Sequence, residues 1–409
     1  MLCRFSSLTS NVSTLLSSQP SFFIALLLFG QVFCSTFAYF LGIENRLVIL
    51  PFRALIALYS LYIILRNLLT NKSIFIEAFP LSLAAFWFFY FTGLVRDHFV
   101  LGISTALPIW EFLAWGIGGC FLPSLACYLL FGSSERGPYV MNILSLGFLL
   151  LGSSTLFFAF SADVGLQRFQ LPSLNPINAS HSFFVLSLLA VSCLAYRCGS
   201  ATNSFGATVL SIFGVSMGIY AGSRGALLAF ACSFMTILLL SRFSKLWAVL
   251  PLFFSVFLLF RFNPSDLINR LISVGSDVNS VSRLSAFAES IKVFLAHPFF
   301  GAGFGYHLNL AASVGYPSMW YPHNFIFESL ALGGLVLTAP LVVCIFLSVW
   351  SCISFLNNFS ASELWRIAIL VQALGYVTFS GHLSNVPIFW AALGIASSLA
   401  PVRLPKMPS

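Results

Sequence analysis

The chain has 409 residues, of which 19 Lys or Arg and 11 Asp or Glu make only 7% charged, against roughly 25% in an ordinary soluble domain. Hydrophobic types reach 59%, with 47 Phe, enough for about twelve membrane helices of ~20 residues each. The formal net charge of +8 is scattered singly between apolar runs and forms no basic block, so no nucleic-acid partner is expected. Porin-type barrels need short alternating segments, whereas the apolar runs here are continuous. An all-α polytopic membrane protein is the class that remains.

The first twenty residues are rich in Ser and Thr with a single Arg, Arg4, and the apolar run that follows is too long for a typical cleaved signal sequence. It reads as the first membrane helix. Spans are predicted near 22–41, 47–69, 74–95, 107–131, 139–162, 181–196, 205–222, 225–241, 246–260, 324–350, 364–381 and 386–400, a single transmembrane domain over 1–409. With the N-terminus in the cytoplasm, Arg66, Lys72, Arg136, Arg197, Arg242, Lys245, Arg403 and Lys406 fall inside, as the positive-inside rule prefers. Arg46, Arg53, Arg96, Arg168, Arg224, Arg261, Arg270 and Arg283 are then left on or near the far side. That external excess needs a cause of its own.

Cys34, Cys120, Cys127, Cys193, Cys232 and Cys344 sit inside apolar runs, at none of the paired spacings of a zinc site. Neither a disulfide framework, nor a metal, nor a cofactor follows. The one large connection is 261–322, and a loop that long among short ones is usually functional. Within it Leu284, Phe287, Ala288, Ile291 and Leu295 make an apolar strip over 282–296, opposite Ser285, Glu289 and Lys292. This is the pattern of an interfacial helix lying on the bilayer. His297-Pro298 ends it, and Gly301, Gly303 and Gly305 predict a flexible turn.

Four polar positions stand out. Arg224, in Ala-Gly-Ser-Arg-Gly-Ala between two apolar runs, is costly unless partnered; it either snorkels to headgroups or binds an anion bidentately. Arg283, at the start of the predicted interfacial helix, is either a lipid-phosphate contact or part of an anion site at that helix N-terminus. His323-Asn324 opens a span after Trp320-Tyr321-Pro322 and fixes an imidazole at the membrane surface, as an interfacial structural residue or a proton acceptor. Glu328 lies about 140° around a helix from His323 and is poorly placed to orient it. Glu111 and Asp97-His98 are further candidate carboxylates near the same face.

Taken in order, Ser-Arg-Gly at a span junction, Arg283 leading the loop helix, the run from His297 to Gly305, and His323-Asn324 with Gly334 behind it resemble the bacterial O-antigen ligase and polymerase superfamily over roughly 170–340. Asn175-Pro176-Ile177 is similar to another short motif seen there. Many members carry a Glu two residues before the Gly that corresponds to Gly334; here that position is Leu332, so no role passes to it.

The resemblance implies a GT-C-like fold and an inverting glycosyltransferase that needs neither nucleotide sugar nor metal. Its donor would be a glycan on undecaprenyl diphosphate, its site the periplasmic face of the bacterial inner membrane, with 261–322 as the large periplasmic loop. Arg224 and Arg283 would bind the diphosphate, and His323 would take or position the acceptor hydroxyl proton, with Asn324, Glu328 and Glu111 in support. A lipid A core sugar is the expected acceptor, as in a ligase; a polymerase would use a second lipid-linked glycan and a protein oligosaccharyltransferase a Ser or Thr. A transporter of anions or lipid-linked glycan is the alternative of a different class, but it predicts charges deep in spans or paired broken helices.

Overall fold

The computed structural model describes residues 19–70, 77–105, 107–132, 139–160, 169, 174–196, 201–241, 278–314, 321–356 and 361–399. In chain order the helices are α1 (Gln19–Phe40), α2 (Asn45–Thr70), α3 (Ala78–Val95) running into a π turn (Arg96–Val100), α4 (Ile109–Ala114) joined through a π segment (Trp115–Phe121) to α5 (Leu122–Gly132), α6 (Tyr139–Phe160) and α7 (Pro176–Tyr196). Then come α8 (Ala201–Tyr220), α9 (Arg224–Leu240), α10 (Val278–Ala296), α11 (Tyr306–Val314), α12 (Phe325–Leu356), α13 (Leu364–Phe379) and α14 (Pro387–Ser397). By length and composition seven described helices can cross a membrane, and four more apolar helices are shorter. The predicted ninth span, 246–260, and the 242–277 stretch around it lie outside the described residues, as does every cation assigned to the cytoplasm except Arg66.

Two helices start earlier than their apolar runs suggest. The α7 helix begins at Pro176, because Asn175 Oδ1 accepts from the Ile177 N–H at 2.9 Å and Pro is suited to the first helical position. The Asn-Pro-Ile motif is therefore a helix start. The α10 helix begins at Val278, which puts Arg283 in its second turn and removes the helix-N-terminus argument for an anion there. Its Leu284, Ala288, Ile291 and Leu295 are exposed as expected, while Ser282, Ala286 and Ser290 are buried. Phe287 leaves the outward strip and meets the Phe327 ring at 4.9 Å.

The chain forms two compact units. In the first (1–59, 133–262 and 360–372), α7 is the central helix, buried on all sides from Ala179 to Leu194. Small residues let neighbours approach it: a Cβ on Gly214 would sit 2.7 Å from the Phe183 carbonyl, and Ser180 Oγ donates to the Gly218 carbonyl at 2.7 Å. This is how apolar helices associate when lipid removes any hydrophobic reward for doing so. His181 and Gln372 pair at 2.9 Å in its interior.

The second unit (60–132, 263–359 and 373–409) holds a different device. Past Glu328 the run to Leu356 is predominantly apolar, yet Gly334 has φ 57° and ψ −149°, and the helix is broken there. The predicted unbroken span 324–350 is thus two segments. The stretch after α10 fills the break with main-chain groups: Ala302 and Gly303 donate to the carbonyls of Ala331 and Leu332 at 2.8 and 3.0 Å, and the carbonyls of Pro298 and Phe299 accept from Leu335 and Val336 at 2.8 and 3.1 Å. Both orphaned helix ends are satisfied. The turn expected to be flexible is fixed by these bonds. A Cβ on Gly334 would lie 2.5 Å from the Pro298 carbonyl oxygen, and one on Gly301 (φ 63°) 2.5 Å from the Leu332 carbonyl carbon. Asp97, wholly buried in the π turn after α3, holds the far end: Oδ2 accepts from the Phe304 N–H at 2.7 Å and Oδ1 from Arg96 Nε at 2.8 Å.

Gly334→Ala is expected to lower stability by at least about 1–2 kcal/mol from the left-handed backbone alone, with the carbonyl clash added. Thermal melting in detergent checks this against Phe300→Ala, at a side chain 65% exposed, which should melt as wild type. Equal melting of Gly334→Ala and wild type would contradict the role given to the break.

Candidate functional site

The C-terminal end of α13 collects three of the residues singled out by the sequence. Asn324 Nδ2 donates to the Thr378 carbonyl at 3.0 Å. Arg283 Nη1 donates to the Phe379 carbonyl at 2.9 Å. The His323 imidazole faces the next carbonyl, that of Ser380. Helix C-termini present unsatisfied carbonyls and partial negative charge, so donors and cations are favoured there.

Asn324 has a second task. Its Oδ1 accepts from the N–H groups of Ile326 and Phe327 at 3.0 and 3.2 Å, which makes it the N-cap of α12. Both ends of its amide are committed to structure. The reversal of the chain into this cap throws His323 into a left-handed conformation, φ 54°, the one described non-Gly residue with positive φ. That conformation costs about 1–2 kcal/mol, and strain of this kind clusters at functional sites.

The His323 ring lies 4.1 Å from the Tyr321 ring, tilted by 36°. Its Nδ1 is buried with no hydrogen-bond partner among the described residues, leaving that nitrogen for a ligand's proton. Burial, and then the Arg283 charge, push its pKa down from 6.5 to about 3. The imidazole is therefore neutral at any physiological pH. Burial also pushes the Tyr321 hydroxyl well above its usual range.

Glu328 turns away from His323, toward two histidines that no sequence pattern marks. Its Oε1 lies 3.0 Å from His382 Nε2 and 3.6 Å from His307 Nε2, and its Oε2 accepts from the Leu383 N–H at 3.1 Å. His307 is presented by α11 immediately after the Gly-rich turn, and His382 by the loop between α13 and α14. Burial lowers the His307 pKa, opposed by the neighbouring Glu328 carboxylate. Phe112 covers both rings, at 6.1 Å from His307 and 5.9 Å from His382. Glu111 is buried next to it in α4.

Arg224 is the first residue of α9, after Gly222 (φ 75°) and the N-cap Ser223, whose Oγ accepts from the Ala226 N–H at 3.3 Å. Asp97 is spent on the Gly-rich turn and Arg96, so it is a structural acid. Sequence reading missed His307 and His382 because they lie far apart in the chain and each looks like a lone histidine in an apolar stretch. The signal that could have found them is rarity: they are two of only 6 His in a chain with 7% charged residues.

Residues 207–342, about a third of the chain, match a family model described as O-Antigen ligase. The match takes in α8 from residue 207, all of α9, the described part of the 261–322 loop and α12 past its break. Arg224, Arg283, His307, His323, Asn324 and Glu328 lie inside it; Asp97, Glu111 and His382 lie outside. No curated protein matches the chain. With its apolar helices the chain is a multi-pass membrane protein, and over 207–342 it is similar to the O-antigen ligase family.

Proposed function

We propose that the protein is a glycosyltransferase that moves a glycan from undecaprenyl diphosphate to an acceptor hydroxyl at the periplasmic face of the bacterial inner membrane. The observation that carries this reading is the pairing of Arg283 with a neutral, strained His323 on the carbonyl end of α13. The pair offers a cation for a leaving diphosphate and, beside it, a nitrogen able to accept a hydroxyl proton. The acceptor oxygen attacks the anomeric carbon in one displacement, its proton passes toward His323 Nδ1, and the bond to the diphosphate oxygen breaks. A guanidinium stabilises the developing phosphate charge through bidentate, charge-assisted bonds of about 1.5–3 kcal/mol each. Arg224 is proposed as a further phosphate contact on the family resemblance alone. A bound diphosphate would offset the Arg283 charge and raise the basicity of His323 as the complex forms.

Twelve spans with 261–322 periplasmic put this chemistry on the side where the lipid-linked donor is exposed. A reporter fused at position 310 is expected to signal from the periplasm; a cytoplasmic signal would sink the mechanism. The acceptor is proposed to be a lipid A core sugar. A deletion strain should then keep long chains on the carrier lipid and make lipopolysaccharide without O-antigen, whereas lipopolysaccharide capped by a single repeat would make the enzyme a polymerase with the same donor.

Arg224→Lys and Arg283→Ala should each lower transfer at least about tenfold, or ~1.4 kcal/mol, in membranes holding equal protein. Wild-type rates in either would remove that arginine from the reaction. His323→Ala should abolish transfer and leave donor binding intact, since its partner is the acceptor; lost donor binding would move the imidazole onto the diphosphate.

Because the His323 pKa is depressed to about 3, the ring is already deprotonated above that value. Between pH 5 and 8 the wild-type rate should therefore show no rising limb at the ordinary histidine value of about 6.5. A limb centred there in the wild-type kcat/KM, which reports the free enzyme, would contradict the buried neutral ring.

A further inference from the structure

His307 Nε2, Glu328 Oε1 and His382 Nε2 lie within 4.8 Å of one another. They come from three separate pieces of chain: α11, the half of α12 before its break, and the loop between α13 and α14. His307 and Glu328 have no exposed surface and His382 only 4%. We propose that these three side chains form a binding site for one divalent transition-metal cation, zinc by preference, with a fourth coordination position open to water.

The donor set argues for the class of metal. Two imidazoles and one carboxylate suit zinc and its neighbours, whereas magnesium and calcium take oxygen ligands. Geometry argues for an occupant. Each of the three side chains turns one ligating atom toward the other two inside a site with almost no exposed surface, where a cation would meet all three donors at once.

The surroundings match what metal ligands need. The Leu383 N–H holds Oε2 at 3.1 Å and so leaves Oε1 to face the ring nitrogens. Ser384 Oγ lies 3.1 Å from His382 Nδ1, where it accepts the ring proton when Nε2 ligates. Leu383 is itself pinned through its carbonyl by Trp390 Nε1 at 2.8 Å. The Ser384 N–H also approaches Nδ1, at 3.3 Å. That longer contact would favour instead a metal-free arrangement in which Nε2–H donates to Glu328.

The site adds something that glycan transfer as proposed does not need. Tyr321 stands between the two centres, its ring 5.2 Å from His382 and 4.1 Å from His323. The cation would touch neither donor nor acceptor. It would lock the loop carrying His382 to α11 and α12 and so fix the wall behind Tyr321 and His323.

The test uses full-length protein purified in detergent through a tag that contains no histidine. Elemental analysis is expected to give about one zinc per chain. After chelation, Co²⁺ should bind saturably with the visible absorption of a tetrahedral site, and Zn²⁺ should raise the melting temperature. His382→Ala should hold zinc at least about tenfold less tightly, while His323→Ala keeps it. Protein that transfers glycan yet carries no zinc and binds neither ion saturably would overturn the proposal and give the metal-free arrangement. Zinc retained undiminished in both His382→Ala and Glu328→Gln would overturn it as well. Protein that binds zinc but transfers nothing would count against the glycosyltransferase reading and leave the metal site standing.

Discussion

A main-chain group in the middle of a bilayer has no water to turn to, so every N–H and C=O there needs a partner from the protein. The α12 helix violates its own ladder at Gly334 and survives because another stretch of backbone takes over the four groups set free. Most of what is distinctive in the second unit follows from that exchange. It fixes residues 298–303 against the helix, brings Phe304 onto Asp97, starts α11 in a set direction and so presents His307. It also separates the first segment of α12, with Glu328, from the longer segment behind it.

The carbonyl end of α13 plays a comparable part for the other polar cluster. Asn324, Arg283 and His323 meet three successive carbonyls, at Thr378, Phe379 and Ser380. A cap residue, a cation and an imidazole are thereby held in one order by a single helix terminus. The left-handed backbone of His323 is the local cost of turning from this contact into the cap of α12. Arg96 is likewise tied to Asp97, so two of the arginines left over by the positive-inside rule have described partners.

Apolar run lengths were enough to read most of the described helices, because in a bilayer length and hydrophobicity are nearly the whole specification. The Leu284–Leu295 strip was legible for the same reason, and Arg283, His323 and Asn324 stood out as polar residues in a chain that can hold few. Helix starts were hidden where polar residues cap them: α7 begins at Pro176 behind Asn175, and α10 at Val278. The break at Gly334 was invisible because the apolar run continues through it, and only tertiary contact with residues 298–303 reveals why the helix stops. The partnership of Glu328 with His307 and His382 depends on three distant pieces of chain, and no local spacing encodes it.

The joint between residues 298–303 and α12 is made by backbone atoms, and the places where it is closest are those where a side chain would not fit. Phe299 and Phe300 point outward from it, both about two-thirds exposed, and any lipid-soluble residue could stand there. Such a joint is therefore recorded in a sequence as absences, at Gly301, Gly303 and Gly334, and hardly at all as chemical groups. A comparison that weighs side-chain identity sees little in this stretch, and one that weighs the spacing of glycines sees the architecture.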